Sequence, residues 1–475
     1  MKRAFLIAAS TLALGACAGG PSPEVATPEP VLPAQYLFAP DTATDTALAS
    51  LLPANDPAFD TLAAQALAGS PTLGEALARI AQARAGADRA GAERLPSVGA
   101  NASVEGRRSN PAQFGGNLPA AISFDTEQIA YAANVTARWD LDLFGRLRAQ
   151  ERAALARIDA ADASARGVRN ALLAEIAASV IDWRTLDARK AAIEEDLTAA
   201  TELARLAGVR ERAGLAPGFD RVRAESAANA SRSRLAAVES ERARIIGRLV
   251  TLTAQGSAQV RAALAADAPD VGVANAPASL PSALLANRPD VLAAAANLAA
   301  EDAELAATAR RRFPTFDLSG VIGLLGFSPG DLFDEDSIVG SLAAGIAGPL
   351  LDFGRIEAEI DGAAAEKRAA FEAYRGSVYT ALGDAEAAYG LVAAADLEAS
   401  AAAQEAASLS RAAALAETRQ RAGLADFLTV LEARRAADAS GERAAAAAGR
   451  AARARVILWQ ALGGDTQPIT RSTSQ

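Results

Sequence analysis

The chain has 475 residues, 47 of them Lys or Arg and 57 Asp or Glu, for a formal charge of −10, with no histidine and a single cysteine. That inventory excludes a Ser-His-Asp triad, a histidine-containing metal cluster, an internal disulfide and a thiolate cage, and an acidic chain makes a poor nucleic-acid surface. Apolar residues are 51% of the chain but aromatics only 5%, so the apolar content is chiefly alanine, which favours long, closely packed helices over a wide globular core.

The N-terminus reads as an address. Met1-Lys2-Arg3 precedes the apolar residues 4–14, then Leu14-Gly15-Ala16-Cys17. The apolar run is shorter than the roughly 20 residues a membrane helix needs, so residues 1–16 are expected to be a cleaved signal peptide. Residues 14–17 resemble a lipobox, in which the cysteine is lipidated and becomes the new N-terminus. Ala18 follows in place of the aspartate of an inner-membrane retention signal, so the expected address is the outer membrane. Cleavage removes Lys2 and Arg3 and takes the charge to −12. Residues 19–40, rich in Gly and Pro, are expected to be an extended tether.

The body is written twice. A helix over about 72–93 ends at Pro96, and two alternating segments, 97–104 and 129–143, flank a loop rich in Gly, Pro and Asn. A helix over about 146–207 follows, roughly 90 Å long at about 1.5 Å per residue. It ends at Arg212-Ala213-Gly214-Leu215-Ala216, where glycine supplies a left-handed cap, and a return helix covers about 217–254. The same order recurs: a helix over about 289–311, two alternating segments, a helix over about 355–420, Arg421-Ala422-Gly423-Leu424-Ala425, and a return helix over about 426–462. Phe144-Gly145-Arg146 and Phe353-Gly354-Arg355 share the turn motif's offset of 209, while Leu95-Pro96-Ser97 matches Phe313-Pro314-Thr315 at 218. The repeats span 71–270 and 271–463, with 464–475 as a tail. In the first long helix Leu173, Ile176, Val180, Trp183 and Leu186 step by three or four and mark an inward stripe.

The alternating segments decide the solvent. Val98, Ala100, Ala102 and Val104 alternate with Ser97, Gly99, Asn101 and Ser103. In 129–143 the odd positions are apolar throughout, with Tyr131 and Trp139 separated as if at two membrane interfaces, while the even ones include Asn134, Thr136, Arg138 and Asp140. A strand this long with one apolar face suits a transmembrane barrel. No segment offers a membrane helix, so any crossing is by strands. Four strands cannot close a barrel, and open edges in lipid leave backbone groups unsatisfied, so several chains must contribute; three would give twelve strands.

The lipobox at Cys17, Leu95-Pro96-Ser97, Asp142-Leu143-Phe144-Gly145-Arg146, Asn287-Arg288-Pro289-Asp290, Phe313-Pro314, Gly348-Pro349-Leu350 and Ala461-Leu462-Gly463-Gly464 together resemble the TolC-like outer-membrane efflux family, in its lipoprotein branch of NodT and OprM type. The resemblance implies a mixed α/β membrane protein: a homotrimer with a twelve-stranded β-barrel, four strands per chain, continued by a periplasmic α-helical barrel of long antiparallel helices. Equatorial segments would be 41–70, 255–287 and the residues after 462, with residues 17–70 combining tether and equatorial segment. It implies passive export of small molecules in outer-membrane lipid, with energy from an inner-membrane pump and a periplasmic adaptor (membrane fusion) protein at the helical tips. Those tips carry Arg212, Gly214, Leu215, Arg421, Gly423 and Leu424. Asp220 and Glu432 match positions that constrict the resting tunnel, whereas Thr429 stands where relatives carry an acid. An acidic lumen would favour cationic solutes.

No cofactor is expected beyond covalent lipid on Cys17, and no catalytic or metal-ligating constellation is read from the chain. Asp352-Phe353-Gly354 spells a kinase metal-binding tripeptide, but without a Gly-rich phosphate loop it reads as a strand-to-helix corner, like its counterpart at Phe144. Glu194-Glu195-Asp196 reads as the wet face of a helix. The alternative function is a periplasmic coiled-coil adaptor or scaffold lipoprotein, which shares the helical hairpins but has soluble β-domains in place of lipid-facing strands.

Overall fold

Four strands hydrogen-bond in chain order as one antiparallel sheet: β1 (Ser97–Arg108), β2 (Glu127–Asp140), β3 (Thr315–Gly326) and β4 (Ile338–Ala347). The computed structural model describes residues 24–40, 48–53, 55–110, 127–215, 217–267, 274–278 and 281–465. The chain divides into two compact units, one drawn from residues 1–28, 81–159 and 295–372, the other from 29–80, 160–294 and 373–475.

The first unit holds the sheet. Strand β1 runs past the expected end at 104 to Arg108, because Glu105, Gly106 and Arg107 keep pairing with Ala130, Ile129 and Gln128. Strand β2 stops at Asp140, so Leu141 and Leu143 fall in the corner that follows, although Leu141 N–H still donates to the Phe316 carbonyl at 2.9 Å. Each strand pair then turns into a long helix through the same device. Asp142 accepts from the amides of Leu147 and Arg148 at 2.9 and 2.8 Å, and Asp352 accepts from those of Gly354 and Ile356 at 3.2 and 2.9 Å. A carboxylate here satisfies orphan helix donors and meets the positive end of the helix dipole. The Asp352-Phe353-Gly354 tripeptide is therefore a helix cap. Val25, Leu305, Ala309, Ile356 and Ile360 form this unit's apolar cluster.

Short helices α1 (Pro57–Gly69) and α2 (Pro71–Ala92) precede the sheet, and α3 (Arg146–Arg212) follows its first strand pair. Then come α4 (Gly218–Thr253), α5 (Ser257–Leu264), α6 (Ala283–Asn287) and α7 (Pro289–Ala309), with α8 (Arg355–Arg421) and α9 (Phe427–Ala461) after β4. Helices α3 and α8 are each 67 residues long. Alanine content and the absence of proline allow that length, since straight or small side chains carry little helix penalty. Helix α3 continues one turn beyond the expected 207, which makes Arg212 its last residue.

In the second unit the predicted stripe Leu173, Ile176, Val180, Trp183 and Leu186 is buried throughout, against a core that includes Leu62, Leu249, Tyr389 and Trp459. The N-terminal segment packs here too: Tyr36 is buried with its ring 5.3 Å from that of Tyr389, and Leu37 N–H donates to Glu386 at 2.7 Å. Two family-like motifs lock onto each other. The Arg288 guanidinium donates to Asp290 at 3.0 and 2.7 Å, to Asp384 at 3.0 Å and to the Ala461 carbonyl at 3.2 Å. Gly463 and Gly464 have φ of +104° and +68°, and a Cβ on Gly464 would lie 2.5 Å from the Asn170 amide nitrogen. That nitrogen donates to the Gly463 carbonyl at 2.7 Å.

Candidate functional site

Pairing register turns four alternating sequences into one surface. Val98, Ala137, Gly320 and Leu342 lie in one cross-strand row; Ala100, Val135, Ile322 and Gly340 in the next; Ala102, Ala133, Leu324 and Ile338 in a third. Trp139, Leu318 and Ala344 fill a further row, as do Val104, Tyr131 and Gly326. Every side chain in these rows is apolar, apart from the phenolic tip of Tyr131 and the indole N–H of Trp139. The opposite face is mixed, with Asn101, Asn134, Gly323 and Val339 in one row and Ser97, Arg138, Ser319 and Ala343 in another. A slip of one residue would mix the two sets, so burial of the apolar face in some medium fixes the register.

Tyr131 and Trp139 stand on the apolar face eight residues apart, about 26 Å along a strand, close to the roughly 25 Å apolar band of an outer-membrane barrel. Trp139 donates its indole N–H to the Arg94 carbonyl at 2.9 Å, which fixes the ring at one end of β2. Among the described residues, no helix is long and apolar enough to cross a membrane. Strands β1 and β4 are the two ends of the sheet order and are exposed along their whole lengths.

The corners show the same incompleteness. Phe144, from the first repeat, stacks on Phe313 of the second with ring centroids 4.7 Å apart. The repeat offsets make Phe353 the counterpart of Phe144 and Leu95 the counterpart of Phe313. Within one chain this second pair is unmade: Phe353 is 91% exposed and Leu95 65%.

Both helical turns adopt the same cap. Gly214 N–H donates to the Glu211 carbonyl at 2.9 Å and Leu215 N–H to that of Arg210 at 2.8 Å; Gly423 and Leu424 repeat the pattern onto Gln420 and Arg419 at 2.9 and 2.8 Å. With φ of +70° and +74° at the glycines, these are paired Schellman motifs. Such a motif usually covers the residue after glycine with an apolar neighbour, but Leu215 is 73% exposed and Leu424 68%. Arg212 and Arg421 are exposed and, among the described residues, join no ion pair. Ala216 lies outside the described residues.

The two turns continue differently. In the first, Pro217 gives α4 no side-chain cap, and Asp220 sits half-buried in its first turn. In the second, Asp426 accepts from both the amide and the hydroxyl of Thr429, at 2.7 and 2.5 Å. Those bonds hold the Asp426 carboxyl below its ordinary range and account for Thr429, which completes a helix cap. Glu432 is exposed one turn on. Phe427 and Leu431 pack on Ala200, Ala227 and Ala228, which docks the start of α9 against the α3–α4 hairpin. Glu194 and Glu195 are exposed as expected, whereas Asp196 turns inward, its side chain 12% exposed. Cys17 lies outside the described residues, which contain no group of three or more side chains suited to a metal ion.

Known proteins resemble the chain along nearly all of this framework. A family model described as outer membrane efflux protein matches residues 62–255 and 280–464. The pyoverdine export outer membrane protein OpmQ of Pseudomonas aeruginosa is 29% identical over 473 residues, covering 98% of each chain. Nodulation protein T of Rhizobium leguminosarum bv. trifolii is 25% identical over 475 residues, covering 97% of each. Among solved structures, the outer-membrane channel OprN aligns with a TM-score of 0.83 at 26% identity, over 94% of this chain and 99% of that one.

Proposed function

Since the chain belongs to the outer membrane efflux protein family, it works as the outer-membrane channel of an efflux system, and we propose that three copies build that channel. The observation that carries this reading is the sheet with one face apolar across five adjoining cross-strand rows, up to the Arg108–Glu127 pair at its end, and with two open edges. An apolar face of this extent needs hydrocarbon, and hydrocarbon forbids open edges, so β4 of one copy pairs with β1 of the next until the wall closes.

The internal repeat supplies the register of that junction. Strands β2 and β3 pair Ala137 with Gly320 and Val135 with Ile322. Carrying each partner through its repeat offset pairs Ile346 with Ala102 and Ala344 with Val104 of the next copy. All four side chains then stay on the apolar face, and Phe353 meets the next copy's Leu95, completing the corner contact that Phe144 makes with Phe313.

Lipid on Cys17 would add an anchor to the outer membrane. The two turns are the docking points of a periplasmic adaptor: Leu215 and Leu424 supply apolar contact, Arg212 and Arg421 charge, and Gly214 and Gly423 close approach. Asp220 and Glu432 narrow the resting tunnel near its tip, and their charge favours cations. The cargo is small solutes, with energy supplied by an inner-membrane pump.

Reconstitution in planar bilayers tests this reading. The purified full chain should give discrete conductances with cation over anion preference. A chain that stays monomeric and soluble without detergent, and silent in bilayers, would overturn it in favour of a periplasmic scaffold.

A further inference from the structure

Inside the helical unit, three carboxyl groups meet two guanidinium groups. Asp196 on α3 accepts from Ser231 Oγ and from Arg234 Nη2, the latter at 2.5 Å, both on α4. Arg234 Nη1 reaches Glu442 on α9 at 2.5 Å, and Arg189 of α3 approaches the same carboxylate at 3.6 Å. Both of these cations are thereby engaged. Asp438, one turn before Glu442 on α9, lies against the same cluster, with Asp196, Arg434 and Arg234 as its interacting groups, and its Oδ2 is buried with no hydrogen-bond partner. Arg434, the next cation along α9, is paired with Glu417 of α8.

We propose that Asp196 and Asp438 share one proton and form a pH-sensitive latch between the α3–α4 hairpin and α9. Two carboxylates in contact at a partly buried site repel strongly if both ionise. One proton between them converts the repulsion into a charge-assisted hydrogen bond. Arg234 and Ser231 bond Asp196, whereas Asp438 feels Arg434 and Arg234 only through their charge and has no hydrogen bond to its Oδ2, so the proton is placed on Asp438. Burial, followed by the hydrogen bond and charge of Asp196, pushes the Asp438 carboxyl up to about 7 against the opposing charges of Arg434 and Arg234.

The sign follows from linkage. An acid whose folded pKa is raised stabilises the packed form fully below its ordinary value of 3.8 and loses that contribution as pH climbs through about 7. Above neutrality the junction keeps the Arg234–Glu442 and Arg189–Glu442 pairs and the small apolar seam of Ala200, Ala227, Ala228 and Leu431, but loses the shared proton. The latch stands apart from the channel reading; only its consequence, easier parting of the hairpins on opening, rests on it.

Hydrogen exchange of the full chain in detergent tests the latch on peptides from 190–200 and 431–442. Corrected for intrinsic exchange, the wild type should exchange about tenfold faster near pH 8 than near pH 6, and Asp438→Asn should abolish that difference. Equal wild-type rates at both pH values, or an unchanged pH dependence in Asp438→Asn, would overturn the proposal. Should the variant not fold, infrared spectroscopy of the wild type decides: a buried carboxylic C=O band that titrates near neutrality supports the latch, and its absence refutes it. Exchange that responds to pH in a protein showing no bilayer conductance would remove the channel reading and leave the latch standing.

Discussion

At the scale of single residues, the molecule spends its charged groups on joints. Arg288 is nearly enclosed and serves Asp290, Asp384 and the Ala461 carbonyl at once. The Asp290 and Asp384 carboxylates are about half exposed and can rehydrate, so Arg288→Ala loses mainly its own charged hydrogen bonds and should cost about 2 kcal/mol, read as a lower unfolding midpoint in detergent. Burial is the largest single influence on Asp290 and works against its ionisation, but the hydrogen bond and charge of Arg288 together with backbone hydrogen bonds outweigh it and hold the carboxyl below its ordinary value of 3.8. Its stabilisation is therefore present above that value and fades as pH falls through the lower folded one, and Arg288→Ala should flatten this acid limb of the stability profile. Leu215 and Leu424 play the opposite part, since neither is packed within the chain. Replacing both with serine should leave the unfolding midpoint within about 0.5 kcal/mol of wild type while lowering efflux in a deletion strain; unchanged efflux would remove the turns from the docking surface.

At the scale of elements, the repeat makes the strongest prediction. Ala344→Cys combined with Val104→Cys should form a disulfide between copies and give a covalent oligomer on oxidising gels. Ala344→Cys with Ser103→Cys, one residue out of register and on the opposite face, should not; cross-linking of the second pair alone would refute the junction. Much of this was legible in the sequence because it is local. Alternation set which face of β2 is apolar, the two Arg-Ala-Gly-Leu-Ala turns set the helix ends, and a 3.6-residue stripe marked Ile176 and Trp183 as core. Strand β1 was read too short because Gly106 and Arg108 end the run of apolar even positions, although their backbones still pair with β2. The joints of Asp196 with Asp438 and of Asn170 with Gly463 join residues over 200 positions apart. No local spacing announces such contacts: Asp196 looked like one more exposed helix acid until α4 and α9 were packed against it.

For the whole molecule, the central claim is that the face bearing Val135, Ile322 and Leu342 touches hydrocarbon, since that contact is what requires further copies, closure and a duct. Spin labels placed singly by cysteine substitution at Val135, Ile322 and Leu342, and on the other face at Asn134 and Ser341, read the surroundings directly in lipid bilayers. Labels at the first three positions should be relaxed by oxygen and shielded from a water-soluble nickel chelate, with the reverse at Asn134 and Ser341. Equal access of the chelate to both faces would contradict the account.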